Sequence, residues 1–143
     1  MMPYEKILEQ LGMQQEDMEK LLDKEWRMDN LYTIIDKDGK LITFKRNRAQ
    51  KHFNQHRWYR NIILKSRQLG FTTYEALDMF DDVLFNPNFH SLMLSYDIPS
   101  QLDIFDGKIK FAWDRIPEVM QKLFNVDTDR ANELKVADRD WET

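Results

Sequence analysis

The sequence predicts an α/β fold built around a parallel sheet. Residues 61–64 and 90–95 are short apolar runs typical of buried parallel strands, and an amphipathic helix separates them. The order strand, loop, helix, strand is a βαβ unit, whose connection is right-handed in nearly all proteins. At 143 residues the chain suits one domain. We expect a single partial domain over 1–143, with a helical segment at 1–28 and a tail at 137–143.

The elements around the βαβ unit follow from periodicity and turn residues. Apolar residues at helical spacing predict two helices within residues 1–28. Two β-rich runs, 31–35 and 41–44, flank a loop that ends in Gly39 and therefore predict a hairpin. The other expected elements are a basic helix, a helix that begins at a proline, a short helix and a weak strand, at 47–59, 99–116, 119–124 and 133–136.

Composition narrows the class of protein. The sequence has no cysteine, which excludes a disulfide framework and cysteine-ligated metal sites. Its apolar runs are far shorter than the ~20 residues that span a bilayer, and residues 1–6 do not resemble a secretory signal. We therefore expect a cytoplasmic protein. His52 and His56 have a metal-compatible i, i+4 spacing, but the neighbouring cations and the lack of a third ligand argue against a metal site.

The net charge of −4 conceals a strongly basic segment, residues 45–67, which carries eight cationic and no acidic residues. Such a one-sign segment indicates an anionic partner, such as phosphate or nucleic acid. The alternative is a solvated helix face. The cationic residues are Lys45, Arg46, Arg48, Lys51, Arg57, Arg60, Lys65 and Arg67.

The loop after the first predicted strand, Lys65-Ser-Arg-Gln-Leu-Gly-Phe-Thr-Thr73, occupies the place of a phosphate-binding loop. In the usual Gly-x-x-x-x-Gly-Lys-Ser/Thr pattern, backbone N–H groups surround the phosphates, the lysine neutralises them and the hydroxyl ligates Mg²⁺. Gly70 and Thr72 fit this pattern. The usual first glycine is Lys65 here, and the usual lysine is Phe71.

The cationic residues at the start of the loop offer a replacement for the missing lysine. The flexible side chain of Lys65 would reach across the loop to the phosphates, and Arg67 would supply a second cation. The alternative is a plain strand-turn-helix junction, in which Gly70 only makes the turn and Thr72 only caps the helix.

This loop closely resembles the variant Walker A motif of tailed-phage terminase large subunits, in which Ser-Arg-Gln-x-Gly-x-Thr-Thr is characteristic. Some branches of that family carry the lysine at the start of the loop. Upstream, Phe44-Lys-Arg-Asn-Arg-Ala-Gln-Lys-His-Phe53 resembles the family's glutamine motif, whose glutamine reads the adenine edge; Gln50 stands 15 residues before Lys65. The resemblance covers roughly residues 30–136. It implies a P-loop NTPase-type parallel sheet flanked by helices, here incomplete.

The resemblance implies an ATP-driven motor that packages double-stranded DNA into procapsids with a portal protein and a small terminase subunit, as a homo-oligomer. Its cofactors are ATP and Mg²⁺. Lys65 and Arg67 would hold phosphate, Gly70 would allow close backbone approach, Thr72 would bind Mg²⁺, and Gln50 would select adenine. The full set implied for nucleotide binding is Gln50, Lys65, Ser66, Arg67, Gln68, Gly70, Thr72 and Thr73.

The sequence departs from this family where hydrolysis is concerned. No apolar run after Leu94 ends in the Asp-Glu pair of a Walker B strand, and the nearest carboxylate, Asp97, is better explained as a loop or N-cap residue. No carboxylate cluster for a two-metal nuclease is present either. We therefore expect a chain truncated before the Walker B strand and the nuclease domain, which binds ATP at most and is inactive alone as an ATPase.

A second interpretation remains open. The chain would then be a non-catalytic DNA- or protein-binding module that uses the basic segment. Aromatic residues within the segment would either stack on nucleic-acid bases or simply pack in the fold. They are Phe53, Trp58 and Tyr59.

Overall fold

The structure is a computed structural model that describes residues 9, 12, 14–65, 70–86, 88–124, 126–130 and 133–136. Its architecture is mixed α/β and mainly helical. The α-helices of this part are α1 (Gln15–Leu22), α2 (Lys24–Asn30), α3 (Arg48–His56), α4 (Phe71–Phe85), α5 (Ile98–Ile104), α6 (Phe111–Arg115) and α7 (Glu118–Leu123). The strands are β1 (Thr33–Ile35), β2 (Leu41–Thr43), β3 (Val126–Arg130) and β4 (Glu133–Val136).

The hairpin predicted around Gly39 is confirmed. Strands β1 and β2 pair antiparallel, with Ile34 opposite Ile42. The Asp36 carboxylate accepts hydrogen bonds from two backbone N–H groups of the turn, at 2.9 Å each. Gly39 has a φ of 78°, a left-handed conformation that is unstrained only for glycine.

A second antiparallel hairpin joins β3 to β4. The weak strand predicted at 133–136 is therefore confirmed. Its partner β3 was not among the expected elements. The sequence Val126-Asp-Thr-Asp-Arg130 has no apolar alternation, so only pairing with β4 reveals it as a strand.

The two strands expected to form a parallel sheet are not strands in the structure. Residues 61–65 and 90–95 are described, but neither segment has regular secondary structure. Ile62 and Leu64 are 92% and 94% exposed, and Leu92 and Leu94 are also exposed. A strand requires a neighbouring ladder of hydrogen bonds, and the described residues provide none here. The βαβ unit is thus reduced to helix α4 between two irregular segments.

The predicted helices are largely confirmed. One predicted N-terminal helix is split into α1 and α2 at Asp23, whose carboxylate caps α2 through the N–H of Glu25. The other lies almost wholly outside the described residues. Pro99 occupies the first turn of α5, as expected. The helix then continues through a π-helical segment, Phe105–Lys110, into α6.

Helix α4 lies at the centre of the hydrophobic core. Residues from the hairpin, α2 and the helices after α5 pack around it. No helix in the described ranges has both the length and the apolar character needed to cross a membrane. The buried apolar side chains are Leu21, Met28, Tyr32, Phe44, Phe71, Tyr74, Ala76, Leu77, Phe80, Leu84, Ala112, Trp113, Ile116, Met120 and Phe124.

A buried ion pair between Arg27 and Asp81 connects α2 to α4. The guanidinium donates to both carboxylate oxygens of Asp81 at 2.9 Å, and also to the Leu21 carbonyl at 3.0 Å. The Tyr32 hydroxyl donates a further hydrogen bond to Asp81. Burial, together with the Asp81 charge, raises the pKa of the Tyr32 hydroxyl well above its ordinary value, so Tyr32 stays a donor.

Two further sets of ion pairs, each with a partly exposed member, extend this network. Lys24 on α2 bridges Asp78 and Asp82 of α4, at 3.0 and 2.7 Å. Arg46, just before α3, makes a forked interaction with Asp29, with both N···O distances at 3.0 Å. Burial disfavours the Asp29 carboxylate, but the hydrogen bonds from Arg46 outweigh it and lower the pKa of Asp29.

We expect the substitution Arg27→Ala to lower the free energy of unfolding by about 3–5 kcal/mol, because it leaves the Asp81 carboxylate buried without a cation. Urea unfolding monitored by circular dichroism measures this change. The control is Arg48→Ala, which removes an exposed arginine and should change stability by less than about 0.5 kcal/mol. Equal effects of the two substitutions would contradict the importance of the buried pair.

Asp29 should make the protein sensitive to acid. The pKa of the Asp29 carboxyl is lower in the folded state than in the unfolded state. The stability that Asp29 contributes is therefore fully present above the unfolded-state pKa of about 3.9, and it is lost as the pH falls through the folded-state pKa. We expect Asp29→Asn to cost about 1–3 kcal/mol at pH 7 and to flatten the loss of stability in acid. Urea titrations between about pH 7 and 2 test this. Asp38→Asn, in the exposed hairpin turn, should keep the parent profile.

Candidate functional site

The loop-helix junction predicted from sequence is formed around Gly70. This residue precedes α4 with φ 74° and ψ 14°, in the left-handed region. A β-carbon at Gly70 would lie 2.9 Å from the side-chain nitrogen of Gln50. The backbone angle therefore favours glycine, and a β-carbon here would also force the Gln50 amide to move. The N-cap residue of α4 is Gly70, and no side chain of the described residues caps the helix, so the interpretation of Thr72 as the helix cap is wrong.

Gln50 is the buried partner of this junction. Its side-chain Nε2 donates to the Gly70 carbonyl at 2.9 Å, across 20 residues of sequence. Its Oε1 accepts from the Asn47 N–H at 2.8 Å, and the Asn47 side chain accepts from the Gln50 N–H at 2.9 Å. This reciprocal capping box starts α3 and holds the Gln50 amide in place. The structure thus joins the predicted glutamine motif to the predicted phosphate loop.

The Gln50 amide is only partly used by these contacts. An amide has two N–H groups and two acceptor lone pairs, and Gln50 uses one of each in its contacts with the described residues. The remaining N–H group and lone pair match the acceptor and the donor that the edge of adenine presents. The residue is only 2% exposed, so its contact with Gly70 is the role that the geometry establishes. Recognition of adenine stays a prediction.

The structure describes the two ends of the predicted phosphate loop, but the middle of the loop lies outside the described residues. Lys65 and Thr72 are exposed on either side, while Thr73 is half-buried in the first turn of α4. Ser66, Arg67 and Gln68 fall among the residues that the structure does not describe. Their predicted contacts with phosphate therefore stay predictions.

The structure explains why a phenylalanine stands where a phosphate loop usually has lysine. Phe71 is buried and packs edge-on against Phe53 of α3, with ring centroids 5.9 Å apart. A lysine at this position would place its charge in an apolar contact. Any cation for this loop therefore has to come from another position, such as Lys65.

Two open clefts lie on either side of Phe71. The first, of about 640 Å³, runs between α3 and residues 62–64. The second, of about 620 Å³, lies between the start of α4 and α5 and is lined by Thr72, Glu75 and Asp103. Both volumes fall in the range of small-molecule sites. Burial and the nearby Asp78 charge raise the pKa of Glu75, against the opposing effect of Arg57.

The remaining candidate ligands have ordinary structural roles. The Asp97 carboxylate accepts from the Ser100 N–H at 2.8 Å and caps α5, which confirms its interpretation as an N-cap. The His52 and His56 rings lie 4.3 Å apart on α3. Within the described ranges, no three potential ligands are grouped so as to hold a metal ion.

Two of the cations in the basic segment are neutralised inside the fold. Arg46 pairs with Glu25 and Asp29. Arg57 donates to Asp78 and Glu75, at 2.9 Å each. Burial opposes the charge on Arg57, but these carboxylates outweigh it and raise the pKa of its guanidinium.

The cationic surface is therefore smaller than the sequence suggests. Arg48 and Lys51 line a shallow cleft on the outer face of α3, together with His52 and Gln55. The exposed cations of the described part of the segment are Lys45, Arg48, Lys51, Arg60 and Lys65.

Comparisons of the chain with protein-family models, with curated proteins and with solved structures find no match. Its function is consequently argued from the site itself. The site consists of a helix start that no described side chain caps, a left-handed glycine held by Gln50, an exposed lysine and threonine, and two adjacent clefts.

We expect Gly70→Ala to destabilise the protein by about 1–3 kcal/mol through backbone strain, and further through the approach of the new β-carbon to Gln50. Gly39→Ala provides a matched control. Gly39 has a similar φ of 78°, but a β-carbon added there would have nothing within 4 Å. Urea unfolding of both variants separates strain from steric conflict. If both lose equal stability, the close contact with Gln50 is unimportant.

Proposed function

We propose that this chain is the nucleotide-binding part of a tailed-phage terminase large subunit, the ATP-driven motor that packages double-stranded DNA during virion assembly. The observation that carries the proposal is the hydrogen bond from Gln50 to Gly70. The sequence suggests a glutamine motif and a Walker A-type loop separately, and this bond connects them. A plain strand-turn-helix junction has no need of a buried glutamine that bonds to a carbonyl 20 residues further along the chain.

The groups around the start of α4 fit ATP and Mg²⁺. The first N–H groups of a helix lack partners within the helix and lie at the positive end of its dipole, and no side chain of the described residues caps them here. Lys65 and Arg67 would neutralise phosphate, with Ser66, Gln68 and Thr73 completing the loop. Thr72 is exposed beside the second cleft, where its hydroxyl would ligate Mg²⁺. Gln50 would use its remaining N–H and lone pair for adenine.

The proposal includes a parallel sheet that the two irregular segments would join as strands. Two features support it. The exposed positions of 62–64 and 92–96 alternate with half-buried ones, which is the two-residue period of a strand. Both segments are also directly connected to α4, as strands of a βαβ unit would be.

In this function the protein would act in the cytoplasm of a phage-infected or lysogenic bacterium. Its partners would be double-stranded DNA, a portal protein and a small terminase subunit, and the motor would be a homo-oligomer. We propose that this chain binds ATP without hydrolysing it. Asp97 is occupied in capping α5, which leaves it poorly suited to hold Mg²⁺ opposite Thr72.

Calorimetric titration with ATP and Mg²⁺ tests the nucleotide site. We expect binding by the parent chain and a loss of about 10- to 150-fold in affinity for Lys65→Ala, the equivalent of one charged hydrogen bond. Thr72→Ala should reduce the gain in affinity that Mg²⁺ brings. The control is Lys40→Ala, which removes an exposed lysine of the hairpin and should bind ATP as the parent does. No binding at millimolar ATP would refute the proposal.

A second candidate function is a non-catalytic module that binds DNA or an acidic protein surface. The cleft lined by Arg48 and Lys51 favours it, because these cations are exposed on one face of α3. Binding through such contacts weakens steeply as salt is added.

A further inference from the structure

An exposed pair of aromatic side chains stands out on the surface between α3 and α4. Trp58 and Tyr59 are each 72% exposed. Their rings meet edge to face, with centroids 4.3 Å apart. Large aromatic residues contribute most to stability when they are buried, so this exposure on one short turn requires another explanation. We refer to residues 58–61 as the aromatic turn.

The aromatic turn is held in a defined shape. The Asn61 side chain accepts from the Trp58 N–H at 2.9 Å and donates to the Trp58 carbonyl at 2.6 Å. Directly before the turn, Arg57 is anchored to Asp78 and Glu75 of α4. The backbone that presents the two rings is therefore ordered before any partner arrives, which reduces the entropy that binding would cost.

The surroundings of the aromatic turn are cationic. The Arg60 guanidinium lies 5.6 Å from the centre of the Tyr59 ring, and Lys65 is exposed shortly after the turn. The segment 45–67 contains no acidic residue. Two acidic groups that contact the residue before the turn, Asp78 and Glu75, are paired with Arg57.

We infer that the aromatic turn binds single-stranded nucleic acid, with an unpaired base stacked on Trp58 or Tyr59 and the adjoining phosphates near Arg60 and Lys65. Exposed aromatic rings beside cations are the combination that recognises single strands without sequence preference. A duplex keeps its bases stacked inside the helix, so the faces of its bases are not available for the rings to stack on. The inference shares only Lys65 with the proposed nucleotide site, and it uses neither Gln50 nor Gly70.

The test is fluorescence anisotropy with a labelled oligodeoxythymidine of about 15 nucleotides, within the usual site size of such surfaces. We expect the parent chain to bind, and Trp58→Ala and Tyr59→Ala each to weaken binding by about 5- to 150-fold, the loss of stacking on one base. Tyr96→Ala is the matched control, because Tyr96 is a 90% exposed tyrosine outside the basic segment. It should bind as the parent does.

A second probe separates stacking from charge. An abasic oligomer with the same number of phosphates should bind the parent more weakly, and its affinity should not change in Trp58→Ala. Arg60→Ala should reduce the dependence of binding on salt. Thermal unfolding of each variant verifies the fold. Equal affinity for the two oligomers, tighter binding of a duplex, or no effect of Trp58→Ala would each overturn the inference. The inference would also be overturned if Trp58→Ala changed the self-association of the chain while the parent chain did not bind the oligomer.

Discussion

The buried ion pair between Arg27 and Asp81 is the interaction on which the rest of the structure depends. Removing two charges from water is costly, and the cost is offset only when the hydrogen-bonding capacity of both groups is met. Here the fork of Arg27 matches the carboxylate, and Tyr32 supplies another donor. These directional contacts permit few alternative positions of α2 against α4. They also bring Tyr32 of the hairpin into contact with Asp81. A purely apolar contact is not directional and would fix this arrangement less well.

A row of carboxylates along α4 makes further ion pairs toward the candidate site. Asp78 lies about one turn before Asp81 and meets both Lys24 and Arg57. Arg57 in turn fixes the chain at the end of α3, directly before the aromatic turn. Helix α4 therefore uses one face for the apolar core and another for charges that position its neighbours. Its N-terminus is positioned as part of the same rigid element.

Gln50 serves a similar purpose at the start of α4. Its side chain completes the capping box of α3 and then holds the carbonyl of Gly70. One residue thereby orients a helix and the junction that precedes the next helix. This arrangement gives the phosphate-loop hypothesis a physical basis that the loop sequence alone lacks. The aromatic turn lies on the connection between the same two helices, so both candidate surfaces share a common support.

Local features of the sequence determined the hairpin at Gly39, the helices α3 and α4, and the junction at Gly70. Glycine placement, caps and helical periodicity act within a few residues, so they can be recognised without the fold. Only the tertiary structure decided which cations are neutralised, that Gln50 bonds to Gly70, and that residues 61–64 have no strand partner among the described residues. These outcomes depend on groups far apart in sequence. Apolar alternation identifies a segment that is able to form a strand, but the ladder has to come from a neighbour.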